Sequence, residues 1–122
     1  MSWRRSWSCI AGVAAIAILA AIYYRATALT NLIPVGYDIF TYFYPNEAFG
    51  AEALRQGRLP LWNPYLFAGV PFLANSQTAV FYPPNLLFLF LTVPRGYVYS
   101  VLLHVIVAGC GMFALARLTL GV

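Results

Sequence analysis

Lysine is absent from this chain, and only three residues, Asp38, Glu47 and Glu52, are acidic. Charged residues make up 8% of the sequence, where ordinary soluble domains carry about 25%. That scarcity excludes a conventional water-facing surface and reads as a membrane protein. The seven basic residues are all arginine and lie scattered along the chain. No basic stripe forms, which excludes nucleic acid as a partner and leaves the lipid bilayer as the neighbour of most of the surface. The two cysteines, Cys9 and Cys110, stand in separate apolar segments and exclude both a cysteine metal site and a disulfide framework. HExxH, GxGxxG, Walker and Ser-His-Asp patterns are all missing, as are internal repeats and low-complexity tracts.

What the chain has is apolar and aromatic: 62% of it is hydrophobic and 17% is Phe, Trp or Tyr. The stretch Leu59 to Pro94 contains no charge. It cannot be a spanning helix, because Pro60, Pro64, Pro71, Pro83, Pro84 and Pro94 each remove a backbone donor and crowd the preceding turn. Trp62, Tyr65, Phe67, Phe72, Phe81 and Tyr82 make it aromatic, and Asn63, Asn75, Ser76 and Gln77 supply neutral polar groups. Such a segment suits the membrane–water interface, folded against other membrane segments.

The expected fold is therefore all-α and integral to the membrane. Transmembrane helix 1 is read over 7–24, with Trp7 and the Tyr23-Tyr24 pair as interfacial anchors and about 20 apolar residues as the span requirement. A cleaved signal peptide is the competing reading of that segment. An external loop follows over 25–96. It holds an interfacial amphipathic helix over 38–56, with Ile39, Phe43, Ala48, Phe49, Ala53 and Leu54 on one side and Glu52 and Arg55 on the other. Gly57 caps that helix, Pro60 stops it, and Pro45 is either its first-turn residue or a kink within it. A segment over 85–93 is apolar but too short to span and reads as re-entrant. Transmembrane helix 2 covers 97–117, and Ala108, Gly109, Gly111 and Ala114 give it a small-residue surface for close packing. Arg4, Arg5 and Arg117 belong on the cytoplasmic side, so both ends of this piece are expected there. The chain closes at Gly121-Val122 directly after a helix and is expected to be the N-terminal piece of a longer polytopic protein.

Asp38 is the acid to single out. Pro34 and Gly36 suggest a turn that fixes it just outside the membrane. A carboxylate there can act as general base or hold a divalent cation, and it can equally be a plain helix N-cap. Glu47 and Glu52 read as solvated helix residues. Arg55 and Arg58 can grip a lipid phosphate through the guanidinium fork, or simply contact headgroups and the helix end. Asn63, Asn75 and Gln77 can bond sugar hydroxyls, or satisfy the backbone of an irregular loop. His104, inside the second spanning helix, reads as a neutral imidazole bonded to a neighbouring helix.

Several of these residues form one long string. Asp38, Glu52-Ala53-Leu54-Arg55-Gln56-Gly57-Arg58, Leu59-Pro60-Leu61-Trp62-Asn63-Pro64-Tyr65, Gly69-Val70-Pro71, Ala74-Asn75 and Phe81-Tyr82-Pro83 resemble the first external loop of the bacterial YfhO family of membrane proteins. The resemblance runs on through His104 and Gly109-Cys110-Gly111-Met112. It implies the N-terminal part of a GT-C-like polytopic bundle in the bacterial inner membrane, whose remaining helices are partners of this piece. It implies transfer of a sugar from a polyprenyl-phosphate carrier to a cell-envelope acceptor on the external face. Asp38 would then be catalytic, a metal ligand, or both. Arg55, Arg58, Trp62, Asn63, Asn75 and Gln77 would bind the lipid-linked sugar, and a divalent cation is the one cofactor to look for. GT-C enzymes often carry a second acid nearby, but here the next one is Glu47, nine residues on. The alternatives are a non-catalytic export factor or assembly scaffold, and an inactive truncated fragment.

Overall fold

The computed structural model describes residues 2–30, 32 and 36–120, with the side chains of 2–6 outside that description. The Pro34 half of the expected turn and the Arg4 and Arg5 side chains therefore lie outside the described residues. The described chain is mostly helical. Its longest elements are α1 (Ser2–Tyr23) and α5 (Val93–Leu120). Between them come α2 (Arg25–Ala28), α3 (Tyr44–Arg55), the strands β1 (Trp62–Asn63) and β2 (Val70–Pro71), and α4 (Leu87–Phe90).

α5 has 28 residues, about 42 Å at 1.5 Å per residue, and is long and apolar enough to cross a membrane. Pro94 does not end the loop as expected. It sits in the first turn of α5, where a proline's missing N–H would have had no helical partner. The helix therefore begins four residues before the expected 97. The apolar part of α1 is shorter, Trp7–Tyr23, because the chain turns at Tyr24 before continuing as α2. Of the two expected spans, α5 alone has the length and composition among the described residues.

α1 and α5 run antiparallel, as three pairings establish. A Cβ on Gly12 would lie 2.4 Å from the Phe113 ring, and one on Gly109 would lie 2.7 Å from Ile16. The Arg117 guanidinium donates to Ser8 Oγ at 3.0 Å. At the other end, the Tyr99 hydroxyl donates to the Ala28 carbonyl at 3.2 Å. Gly109 thus spends its missing side chain on α1, whereas Gly111 faces open space.

The helix expected over 38–56 is α3 preceded by a π-turn at Ile39–Phe43. Pro45 stands in the first turn of α3, within a helical run that already begins at residue 37, so it marks a disturbance inside the expected 38–56 helix. It cannot donate to the Thr41 carbonyl, and the ladder widens by one residue just ahead of it, with Tyr44 N–H reaching Ile39 O. The far end follows expectation. Gly57 takes φ +71°, Arg58 N–H bonds Ala53 O at 2.9 Å, and Gly57 N–H bonds Leu54 O at 2.9 Å. That double bond is the Schellman closure, which needs a residue tolerant of positive φ.

The buried side of α3 is made of small residues: Asn46, Gly50, Ala51 and Ala53. They let Phe72 and Phe88 come close. A Cβ on Gly50 would stand 3.2 Å from Phe72, and one on Gly96 of α5 would stand 2.5 Å from Phe88. Ala51, Phe88 and Val93 form the core, flanked by Tyr44, Ala48 and Tyr97. The 85–93 segment is not one continuous helix. It is a 3-10 turn at Pro83–Leu86, the single turn α4, and an extended Leu91 leading into α5.

Candidate functional site

Asp38 is exposed and lies in helical conformation (φ −65°, ψ −29°) with no side-chain capping bond. A capping residue must leave the helical region, so the N-cap reading is corrected. The turn is closed instead by the backbone, with Ile39 and Phe40 N–H both bonding Gly36 O. No three His, Cys, Asp or Glu side chains gather as a metal set among the described residues. Asp38 offers a single carboxylate, which does not fit a tightly held divalent cation.

Arg55 is not free for a phosphate. Its guanidinium donates to the carbonyls of Phe88, Leu89 (3.1 Å) and Leu91 (2.9 Å), which α4 leaves open at its end. Glu52 lies 3.7 Å away on its other side. Arg55 therefore pins α4 beneath α3. Arg58 remains exposed and donates to Gln56 Oε1, while Gln56 in turn donates to Glu52.

The asparagines also serve the fold. Asn63 is buried, and its Oδ1 accepts from Tyr65 N–H at 3.0 Å. Asn75 Oδ1 accepts from Gln77 N–H at 3.0 Å, and its Nδ2 donates to the Tyr42 hydroxyl. Both are the side-chain turns that Asn makes where the backbone lacks regular partners. Trp62 is half exposed, and its indole lies flat over Gly69, where a Cβ would approach to 2.6 Å.

Gln77 alone among the expected site residues lines a cleft of about 380 Å³ between α3, the 77–85 segment and the start of α5. The cleft's chemistry comes from Glu47, Tyr82, Tyr97 and His104, with Phe43 and Phe88 among its walls. Burial pushes the Glu47 carboxyl up to about 7 from its ordinary 4.5, which corrects the solvated reading. Glu47 makes no hydrogen bond or ion pair among the described residues. His104 Nδ1 faces the Ser100 carbonyl at 2.6 Å, and Nε2 faces the Tyr82 hydroxyl at 2.6 Å. A carbonyl can only accept, so Nδ1 carries a proton and donates to Ser100 O, while Nε2 and the Tyr82 hydroxyl share the second bond. His104 is thus held by the loop and its own helix, not by a neighbouring helix.

No residue spacing in the sequence announces this cleft; the small residues Asn46, Gly50 and Ala53 recur at helical spacing on the buried side of α3 and do not line it. Against known proteins, the chain finds no counterpart: no family model, no curated protein and no solved structure matches it.

Proposed function

We propose that this chain is the substrate-facing N-terminal part of a multi-pass GT-C-type glycosyltransferase of the bacterial inner membrane, with both ends of the piece cytoplasmic. It acts on the external face and moves a sugar from a polyprenyl-phosphate carrier to a cell-envelope acceptor. The observation that carries the reading is Asp38: an exposed carboxylate at the start of the segment 36–96 that caps nothing. Its position in the string that resembles the YfhO family supports the same role, as does the apolar length of α5.

Asp38 takes the proton of the acceptor hydroxyl as that oxygen attacks the anomeric carbon. The bond between that carbon and the phosphate oxygen breaks, and the polyprenyl phosphate leaves with the electron pair. Arg58, exposed at the end of α3, steadies the phosphate charge. Arg55 is spent on α4 and takes no part.

A non-catalytic export factor or scaffold is the second reading. It is favoured by one fact: Arg55, Asn63 and Asn75, three expected ligand groups, are all engaged in holding the fold. Transfer of a labelled sugar from a polyprenyl-phosphate donor, in membranes carrying the protein at its natural length, separates the two. Asp38→Asn and Asp38→Ser should each lower the rate by about 10²–10⁴-fold, the range for losing a general base. Near-normal transfer by both variants removes Asp38 from the site and puts the non-catalytic reading ahead. The orientation is checked by Ser76→Cys, which should react with an impermeant thiol reagent added from outside; labelling only from the cytoplasmic side refutes it.

A further inference from the structure

We propose that the Glu47 cleft binds a small organic ammonium ion, either free in solution or carried as a lipid headgroup. This inference uses neither Asp38 nor Arg58, the residues that act in the proposed sugar transfer, and of the expected sugar-binding residues only Gln77 borders the cleft. The walls hold the accessible aromatic rings of Phe43, Tyr82 and Tyr97, backed by the buried Phe88, and one carboxylate, Glu47. No arginine is among the lining residues. The nearest arginine on α3, Arg55, has its fork turned to the α4 carbonyls.

The electrostatics select the ligand class. Aromatic faces carry negative quadrupole density and attract cations. A carboxylate withdrawn from water without a partner is costly until a positive group joins it. An anion such as phosphate would meet Glu47 with nothing to offset the repulsion. A neutral polyol could bond the carboxylate but would leave its charge uncompensated. An ammonium ion answers both the rings and the acid. His104 forms no ion pair with Glu47 among the described residues; its two nitrogens are directed at Tyr82 and Ser100.

The test is calorimetric titration of choline chloride into the whole chain in maltoside micelles, with sodium chloride as the ionic-strength control. Saturable binding is expected at pH 8. Because Glu47 must be ionised, the affinity at pH 5 should be about 100-fold lower, given a carboxyl near 7. The other titratable groups facing the cleft are Tyr82 from the loop and Tyr97 and His104 from α5. His104→Gln separates the imidazole's contribution, and the pH dependence should survive it. Glu47→Gln keeps the side chain's shape and should weaken binding at least about tenfold while flattening the pH dependence. Tyr97→Leu should weaken it by about 5–30-fold and Tyr97→Phe should retain it, since the ring face is what the cation meets. Nanodiscs distinguish the two sources. Weaker choline binding in discs containing phosphatidylethanolamine than in phosphatidylglycerol discs identifies a lipid headgroup as the occupant; equal binding identifies the free amine. No saturable binding at pH 8, or Glu47→Gln binding like the parent, overturns the proposal.

Discussion

The α1–α5 pair and the segment between them, residues 36–96, are held together by opposite means. In the pair, contact is made by absence: Gly12 and Gly109 leave room for Phe113 and Ile16. Most of the remaining surface, including Ile10, Ile18, Leu19, Val107, Met112 and Leu115, is apolar and exposed. Beyond Val98, α5 buries no side chain among the described residues. The segment between is almost uncharged, yet it is tied by directed polar bonds. Arg55 reaches three carbonyls, Asn63 and Asn75 close side-chain turns, and Thr78 donates to backbone carbonyls at Phe72 and Asn75. Lipid can replace protein against an apolar helix face, but it cannot satisfy a stranded carbonyl. The loop therefore spends most of its polar side chains on itself, whereas Asp38 caps nothing and Glu47 has no hydrogen bond or ion pair among the described residues.

The sharpest way to break that contrast is at Arg55. Arg55→Ala strands three carbonyls at the end of α4 and should destabilise the 36–96 segment by about 2–3 kcal/mol. Arg55→Lys should recover only part, because a single ammonium cannot span the positions a planar fork reaches. Denaturant unfolding in micelles, with proteolysis of the loop as the local readout, checks both. An unchanged loop in Arg55→Ala would mean that apolar packing alone holds it.

Glu47 sharpens the comparison from the other side, as a loop group that costs stability. Its folded-state carboxyl lies near 7 and its ordinary value is 4.5, so the folded chain holds the proton more tightly than the unfolded chain. Stability should therefore be undiminished below about pH 4.5 and should fall as pH rises through 7. The full displacement would correspond to about 3.4 kcal/mol. Partial exposure screens that to about 1–2 kcal/mol. Glu47→Gln should be flat over the same range and more stable than the parent at pH 8.

The smallest expected effect lies within α5. Gly109→Ala must push Ile16 aside and should cost about 1–2 kcal/mol of α1–α5 packing. Gly111→Ala meets open space and should gain up to about 1 kcal/mol from helix propensity. Cross-linking yield between the two helices and unfolding in micelles should separate the two glycines. Equal losses at both would contradict the pairing described.

Local chemistry was legible in the sequence where it is settled by neighbours along the chain. The Gly57 closure of α3, the long apolar α5 and the turn-forming asparagines all follow from short-range rules. What stayed hidden depends on distant partners. Arg55 meets carbonyls more than thirty residues on, and nothing in its own helix announces them. Glu47 looks solvated until the 77–85 segment and α5 close over it. Pro94 reads as a breaker unless it is known to fall in a first turn. In the sequence Asp38 is open to two roles, chemistry or helix capping, and the absence of a capping bond removes the second.

The central claim is that Asp38 is kept for chemistry while its loop neighbours hold the fold. Hydrogen exchange across residues 36–96, measured on the parent and on Asp38→Asn in the same membranes used for sugar transfer, tests it most directly. Matching protection throughout the segment is expected, alongside a transfer rate lowered by about 10²–10⁴-fold. Lost protection around the Ile39–Phe43 turn in Asp38→Asn, with transfer falling only in proportion to the folded fraction, would contradict it and return Asp38 to a structural role.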